Sequence, residues 1–436
     1  MKFSFMKKIC YPVVLVAIAF SISSCGKSDS AGVVNPIKIA SPSPEEQISR
    51  VALEDSQIPF VTAGNEFAIK CLKTLYDNEN LVFSPLSLQY ALALTANGAS
   101  GETAGEIVRT LGFGEDKAAL NAYCNLLLRQ LPAVDTKVDL KLANAVVMND
   151  KFKAQESFRQ IAETVYYSPV EYASLSKPKE LADRINEWAG RNTNGLINPF
   201  IDENSIDENF VSAILNALYF KARWRGSGTM PAFTAGDDPL PFYLDGGGSR
   251  SVKYMFAENN FRYGKLGENS ILELPYENGK YVMYVILPDS KGSNGLSKLL
   301  ASLSADGLFS ASMSSEAMIH VKLPVFETAG SLELRDLLTT LGVSRAFNPN
   351  SAEFDRFVEN HGTGDFFIGR VLQKVRIKVT EWGTEAAAVT MVEIGDTDFP
   401  VQMVEIYFSA DHPFVYVIAE KTSGVILFEG IFNGVD

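Results

Sequence analysis

Histidine, cysteine and acidic side chains could supply catalytic or metal chemistry, but their spacing along this chain matches none of the common motifs. The three histidines, His320, His361 and His412, lie far apart, and neither they nor the cysteines stand at metal-ligand spacings. No Gly-x-Ser-x-Gly elbow, His-Glu-x-x-His helix or phosphate-binding glycine loop occurs. A Ser–His–acid site would have to be assembled from distant residues. We therefore expect no enzyme, no metal and no cofactor.

Residues 378–414 indicate a different kind of chemistry, the pairing of backbone amides. With the strand period of two, one face carries no charge and consists of Thr384, Ala386, Ala388, Thr390, Val392 and Ile394. The opposite face holds Glu385, Ala387, Val389, Met391, Glu393 and Gly395. Alanine favours helices over strands, so an exposed Ala-rich helix followed by a loop is the alternative. Because Gly383 offers a hinge and no proline follows before Pro400, the segment can also become a strand.

The elements that must position this segment change in type along the chain. The first half reads as helical, with apolar residues on one face around residues 67–75 and a further helix at 182–188. The second half reads as strands, among them 281–288, 413–421 and 424–432, the last two joined by a Thr-Ser-Gly turn. Helices followed by strands predict an α+β fold. Without internal repeats, we expect one domain over residues 56–436.

Composition excludes some classes of partner. The chain has 436 residues, a net charge of -13 and a pI near 4.9, which argues against binding to nucleic acid. Cys71 and Cys124 lie among apolar neighbours, and we expect both to be buried small hydrophobes. Two cysteines make no disulfide framework, so the core must hold the fold.

The N-terminus has the features of a secretory signal. Three lysines precede the apolar run of residues 13–20, which is too short to span a bilayer. The tetrad ending at Cys25 resembles a bacterial lipobox; a plain secretory signal is the alternative. We expect a signal peptide over residues 1–24, lipid on Cys25 and a flexible tether over residues 25–55 rich in Ser, Gly and Pro. The protein would then be secreted and lipid-anchored to a bacterial membrane, the outer membrane, on its periplasmic or cell-surface side; release from the membrane is the alternative.

Several long segments, in order, resemble the serpin family. Glu381 and residues 383–388, "GTEAAA", resemble the hinge of the serpin reactive loop, and "FSADHPFVYVI" resembles the signature that follows the loop. Residues 80–113, "INEWAGRNTNGLI", "LNALYFKARW" and "LPVFETAGSLELRDLLTTLGVSRAF" are similar to further family segments. The resemblance covers residues 56–436. It implies a fold with an N-terminal helical region, three β-sheets and an exposed reactive-centre loop near the C-terminus.

The resemblance implies irreversible, suicide-type inhibition of serine endopeptidases. The peptidase cuts the loop and forms an acyl-enzyme, and the freed loop inserts into the main sheet and traps it. The hinge residues matching the family are Gly383, Thr384, Glu385, Ala386, Ala387 and Ala388, preceded by Glu381. The polar shutter residues beneath the point where the sheet opens are Ser84, Ser87, Asn216 and Gln373, the last where the family often has histidine. Trp224 matches the tryptophan of the breach at the top of the sheet, whereas Trp382 departs from the family pattern.

The scissile bond has two candidate positions. Counting forward from Gly383 places Thr397 before the cut and Asp398 after it, whereas counting back from Pro413 gives Gln402 and Met403. Insertion length must match the sheet, which favours the forward count. Thr397 would suit an elastase-like pocket, and Phe399 or Met403 a chymotrypsin-like one.

The expected partner is an elastase-, chymotrypsin- or subtilisin-like serine peptidase, bound by a monomer. Two alternatives remain open. The first is a non-inhibitory binding protein with the same fold, and the second is cross-class inhibition of papain-like cysteine peptidases.

Overall fold

A computed structural model describes residues 36–38, 40, 42, 47–206, 211–292, 294–360, 366–384 and 406–434. Residues from Pro36 onward form one compact unit. Ile37 and Val51 are buried in it, and the Ile48 amide donates to the Ala133 carbonyl at 3.0 Å. Apolar residues within the predicted tether therefore reach buried positions.

Nine α-helices occur within the described ranges, most of them in the first half of the chain. They are α1 Ile58–Leu75, α2 Pro85–Gly98, α3 Gly101–Leu111, α4 Lys117–Val134, α5 Glu156–Thr164, α6 Pro178–Asn192, α7 Gly295–Ser302, α8 Ala305–Ser310 and α9 Arg335–Leu341. Local chemistry fixes several ends. Ser84 caps α2 by accepting a hydrogen bond from the Ser87 amide, and Pro85 occupies the first turn. Gly112 ends α3 in the left-handed conformation.

The strands fall mostly in the second half. They are β1 Leu81–Phe83, β2 Asp139–Asn149, β3 Val170–Ala173, β4 Ser212–Arg223, β5 Thr234–Ala235, β6 Leu240–Tyr243, β7 Ser249–Val252, β8 Tyr254–Leu266, β9 Asn269–Pro275, β10 Tyr281–Leu287, β11 Ser312–Met313, β12 Ala317–Pro324, β13 Phe326–Glu333, β14 Leu372–Thr380, β15 Gly383–Thr384, β16 Ile406–Ser409, β17 Phe414–Glu420 and β18 Ile426–Phe432. The α+β class is confirmed.

The strands of the described residues form three sheets. A six-stranded sheet has the order β13-β14-β15-β4-β2-β3. A ten-stranded sheet has the order β1-β18-β17-β10-β9-β8-β12-β16, with β11 and β5 also paired to β8, and β6 pairs with β7. The predicted hairpin at residues 422–424 is confirmed, since it joins β17 to β18.

The six-stranded sheet has a hydrophobic layer on each face. Leu142 and Val146 of β2 belong to the main core, whereas Ala145 and Val147 of the same strand pack with α6. Trp188 of α6 is fully buried in that second layer, as is Ile37 of the N-terminal segment. The sheet therefore lies inside the molecule, between α6 and the helices of the main core.

Candidate functional site: a split between two strands

The centre of the six-stranded sheet is split between β4 and β14. β14 pairs with β13 along Leu372 to Val379, and β4 pairs with β2 along Ser212 to Lys221, so the outer edge of each strand is filled. On their facing edges, the two strands share β15, which has two residues. Because β15 is antiparallel to both, β4 and β14 run parallel to each other. Within the described residues, the facing edges have no other strand partner, which leaves backbone donors and acceptors for a further strand.

Gly383 sits at the top of this split with a backbone conformation that requires glycine. Its φ is 148°, and a Cβ atom there would lie 2.1 Å from the Ala222 carbonyl oxygen and 2.7 Å from the Arg223 Cα. The chain reverses in the turn at Glu381 and Trp382, the two residues immediately before the predicted hinge glycine. The absence of a side chain at Gly383 therefore allows the backbone to pass close to β4.

Thr384 is already inside the sheet. Its side chain is fully buried, and its hydroxyl is 2.6 Å from the hydroxyl of Tyr276. Burial raises the pKa of Tyr276, so the phenol stays neutral and can donate or accept in this pair. The sequence alone did not single out Tyr276, because a tyrosine at a strand end reads as ordinary core.

Trp224 anchors the turn that leads into the split. It is buried, its indole nitrogen donates to the Thr380 carbonyl at 2.9 Å, and its amide donates to the Trp382 carbonyl at 2.9 Å. Its ring stacks on Tyr276 with centroids 4.5 Å apart. Trp382 is half-buried, with the Arg223 guanidinium 5.5 Å from its ring centroid. The two tryptophans thus fix where the chain turns back toward β4.

A chain of polar side chains crosses beneath the split. Gln373 of β14 accepts from the Ser84 amide at 3.0 Å and donates to the Ser84 carbonyl at 2.9 Å. Ser84 also caps α2 by accepting from the Ser87 amide, and the Ser87 hydroxyl hydrogen-bonds Asn216 of β4. The structure thus brings together all four residues predicted for the shutter and connects β14 to β4 through the start of α2.

The polar chain continues further than the sequence suggested. Asn216 donates to Asn144 of β2 at 2.6 Å, and Asn144 donates to the Tyr166 carbonyl at 3.1 Å. The Tyr166 hydroxyl donates to Asn121 at 2.7 Å, and Asn121 exchanges two hydrogen bonds with Asn97. In the sequence, Asn144 is marked only by being the single polar residue in the apolar run "LANAVVM". Every member from Gln373 to Asn97 is uncharged.

Other predicted residues fall outside the described part of the chain. These are Cys25, Glu385, Ala386, Ala387, Ala388, Thr397, Asp398, Phe399, Gln402, Met403 and His361. His412 is buried, with Nδ1 3.0 Å from the Asp411 carboxylate and Nε2 2.7 Å from the Pro288 carbonyl oxygen, which are structural contacts. Both helical cysteines are free and buried, and burial raises the pKa of Cys124 to about 12. Across the described ranges, His, Cys, Asp and Glu form no group that could hold a metal ion.

The helices, the two large sheets and the short strand in the split define an α+β protein with three sheets. A model of the serpin family (serine protease inhibitor) matches residues 62–434. Serpin-Z1C of Triticum aestivum is 31% identical over 381 residues, covering 84% of this chain and 93% of that protein. The leukocyte elastase inhibitor of Homo sapiens is 29% identical over 383 residues, covering 85% and 98%. The solved structure of tengpin, a thermophilic serpin in the native state, matches with a TM-score of 0.75 and 26% identity, covering 91% and 100%. The chain belongs to the serpin family.

Proposed function

We propose that this serpin inhibits serine endopeptidases irreversibly by inserting its own cleaved loop between β4 and β14. The observation that carries the proposal is β15, which is paired on both edges but stops after two residues. The strands on either side continue well beyond it, since β14 has nine residues and β4 has twelve. A strand entering behind Thr384 would be antiparallel to both neighbours, which is the more stable arrangement.

In the proposed reaction, the serine oxygen of the peptidase attacks the carbonyl carbon of the scissile bond in the loop. An ester forms between that serine and the residue before the cut, and the amine of the residue after the cut leaves with a proton. Insertion of the freed strand then moves the acylated peptidase away from the loop's starting position and distorts its active site before water can hydrolyse the ester. The protein thus consumes itself as an inhibitor and does not turn over.

Backbone pairing supplies the driving force for insertion. Roughly a dozen new hydrogen bonds at about 1 kcal/mol each amount to about 10 kcal/mol. The 14 residues from Thr384 to Thr397 would reach about 45 Å as a strand. The uncharged face of that stretch suits burial against the core. Thr384, its first member, already occupies such a buried position.

The test is incubation with elastase-like, chymotrypsin-like and subtilisin-like serine peptidases, followed by denaturing electrophoresis. We expect a complex that survives SDS, no complex with a peptidase whose serine has been chemically blocked, and a cleaved form that melts far above the intact one. N-terminal sequencing of the released fragment decides between cuts after Thr397 and after Gln402. Cleavage without a stable complex and without a rise in melting temperature would contradict the proposal, while a complex with papain-like enzymes alone would contradict the serine class.

Thr384→Arg and Thr384→Ser are the matched pair of variants. Arginine would bury a charge at the first inserted position, so the loop should be cut as a substrate without trapping the peptidase. Serine keeps the hydroxyl that contacts Tyr276, so complex formation should be retained. Equal complex yields from the two variants would exclude insertion at this position.

We also propose that the mature chain begins at Cys25, carries lipid there and is thereby attached to a bacterial membrane. Within the described residues, no helix has the length and apolar character needed to cross a membrane. The sequence of the tetrad ending at Cys25 supports the proposal. Mass spectrometry of the mature N-terminus should find a diacylglyceryl group, and Cys25→Ser should release the protein from membranes. An unmodified N-terminus upstream or downstream of Cys25 would contradict it.

A further inference from the structure

Three side chains form a row across adjacent strands beside the end of the loop region. Tyr407 of β16 lies directly opposite His320 of β12, which lies directly opposite Glu258 of β8. The rings of Tyr407 and His320 stack with centroids 4.6 Å apart and planes 13° apart, and Nδ1 of His320 is 3.5 Å from the Glu258 carboxylate. These three residues are called the docking row below.

The docking row holds a large aromatic ring in solvent. Tyr407 is 68% exposed, more than any other large hydrophobic residue of the described chain. Its strand neighbour Phe408 is buried and packs near Tyr263, so strand alternation directs Tyr407 outward. A ring held by stacking loses little conformational entropy on binding, and rigid exposed tyrosines are typical of protein interfaces.

The docking row also lies within reach of a peptidase bound to the loop. Tyr407 follows Met403 by four residues and Thr397 by ten, which limits the separation to about 14 Å and about 35 Å along a fully extended chain. A peptidase domain of about 200 residues has a radius of gyration of about 16 Å. Its diameter is therefore close to the limit of about 35 Å that separates Tyr407 from Thr397. A peptidase at either candidate bond is therefore close enough to contact the row.

Charge indicates the chemistry of the surface that would fit. The Glu258 side chain is 63% exposed although it faces His320, so one side of its carboxylate remains open to a partner. By sequence, residues 385–405 contain five acidic residues, Glu385, Glu393, Asp396, Asp398 and Glu405, and no lysine or arginine. The loop sequence and the docking row thus both carry carboxylates, which favours a partner with basic side chains at the rim of its cleft.

We propose that the docking row is a second contact surface for the target peptidase, whose cleft is bordered by an apolar side chain that packs on Tyr407 and a lysine or arginine that pairs with Glu258. The inference rests on the proposed inhibitory function and adds to it a means of selecting the peptidase outside the loop. The row acts at encounter, before cleavage, so it changes the association rate and leaves insertion unaffected.

The experiment uses the full chain and the serine peptidase that forms the SDS-stable complex, with second-order association rate and stoichiometry of inhibition measured separately. Tyr407→Ala should lower the association rate about tenfold at unchanged stoichiometry, and Tyr407→Phe should restore most of it. Phe367→Ala is the matched control, because Phe367 is 41% exposed and precedes β14, at the opposite end of that strand from Gly383. Glu258→Gln should lower the rate about threefold at low salt and make it less dependent on ionic strength.

Two results would overturn the docking role. One is an unchanged rate for Tyr407→Ala and Glu258→Gln, and the other is a rise in stoichiometry, which would place Tyr407 in loop insertion. If the parent protein traps no peptidase, the proposed function fails by itself. The row is then tested by kcat/KM for loop cleavage, which Tyr407→Ala should still lower about tenfold relative to Phe367→Ala. Equal kcat/KM values would overturn it there as well.

Discussion

The two large sheets differ in how completely their central strands are paired. In the ten-stranded sheet, β10 has seven residues and pairs with β9 on one edge and β17 on the other over nearly its full length. In the six-stranded sheet, β4 has twelve residues, but the strand on its split edge contributes two. Within the described residues, unused pairing capacity at the centre of a sheet is therefore concentrated between β4 and β14.

The polar residues beneath the split also differ from a buried carboxyl in the ten-stranded sheet. Beneath the split, Gln373, Ser84 and Asn216 are hydrogen-bonded to one another through the start of α2. In the ten-stranded sheet, Glu429 of β18 is fully buried, and neither carboxylate oxygen has a hydrogen-bond partner in the described part of the chain. An unsatisfied buried polar group costs about 1–3 kcal/mol, more when charged. The shutter residues avoid that cost, because each of them has a hydrogen-bond partner.

The largest expected effects come from adding one methyl group to a glycine in each sheet. Gly430→Ala would place Cβ 2.4 Å from the Leu81 carbonyl oxygen and 2.3 Å from the Tyr416 ring, within a fully paired ladder. Gly383→Ala would place it 2.1 Å from the Ala222 carbonyl oxygen, against a two-residue strand. We expect Gly430→Ala to lower the free energy of unfolding by about 3–5 kcal/mol. Gly383→Ala should lower it by about 1 kcal/mol, by expelling β15, and reduce complex yield at least about tenfold.

Thermal unfolding and complex yield with the target peptidase, measured on both variants, check this contrast. Gly369→Ala is the control, because no heavy atom lies within 4 Å of a Cβ atom there, and its unfolding free energy should stay within about 0.5 kcal/mol. The comparison between the sheets breaks down if Gly383→Ala destabilises the native fold as much as Gly430→Ala does. It also breaks down if Gly383→Ala traps peptidase normally.

Much of the fold was predictable because local patterns there agree with the tertiary structure. The hairpin of β17 and β18, the helix α6 and the four polar residues beneath the split could all be proposed from residue types and the resemblance. The state of the hinge was not predictable. Whether Thr384 lies outside or inside the sheet depends on a balance between strand pairing and loop entropy, and the same residues are compatible with both.

The buried parts of the site were the hardest to predict from the sequence. Tyr276 contacts Thr384 and Asn144 contacts Asn216 across more than seventy residues of chain. Neither spacing follows a periodic rule, so the sequence does not show which residue each of them contacts. The burial of Ile37 and Val51 is hard to predict for a related reason, because they are isolated apolar residues in a polar segment and their burial depends on surfaces far along the chain.

The third expected effect depends on pH and concerns the unpaired carboxyl of Glu429, which sharpens the contrast in polar groups. Burial raises its pKa well above the ordinary value, so the folded protein holds this proton more tightly than the unfolded chain does. The stabilising contribution is therefore complete below the unfolded pKa, near 4.3, and is lost as pH rises toward the folded pKa. Between pH 5 and pH 8, the free energy of unfolding should fall relative to Glu429→Gln by up to about 1.4 kcal/mol per pH unit.

The measurement is denaturant unfolding of the parent protein and Glu429→Gln across this pH range. Glu66→Gln removes one carboxylate from the exposed side of α1 and is the surface control. A pH-independent difference between the parent protein and Glu429→Gln would mean that the Glu429 carboxyl finds a partner or water in solution. In that case Glu429 would be hydrogen-bonded like the shutter residues, and incomplete strand pairing alone would distinguish the split from the ten-stranded sheet.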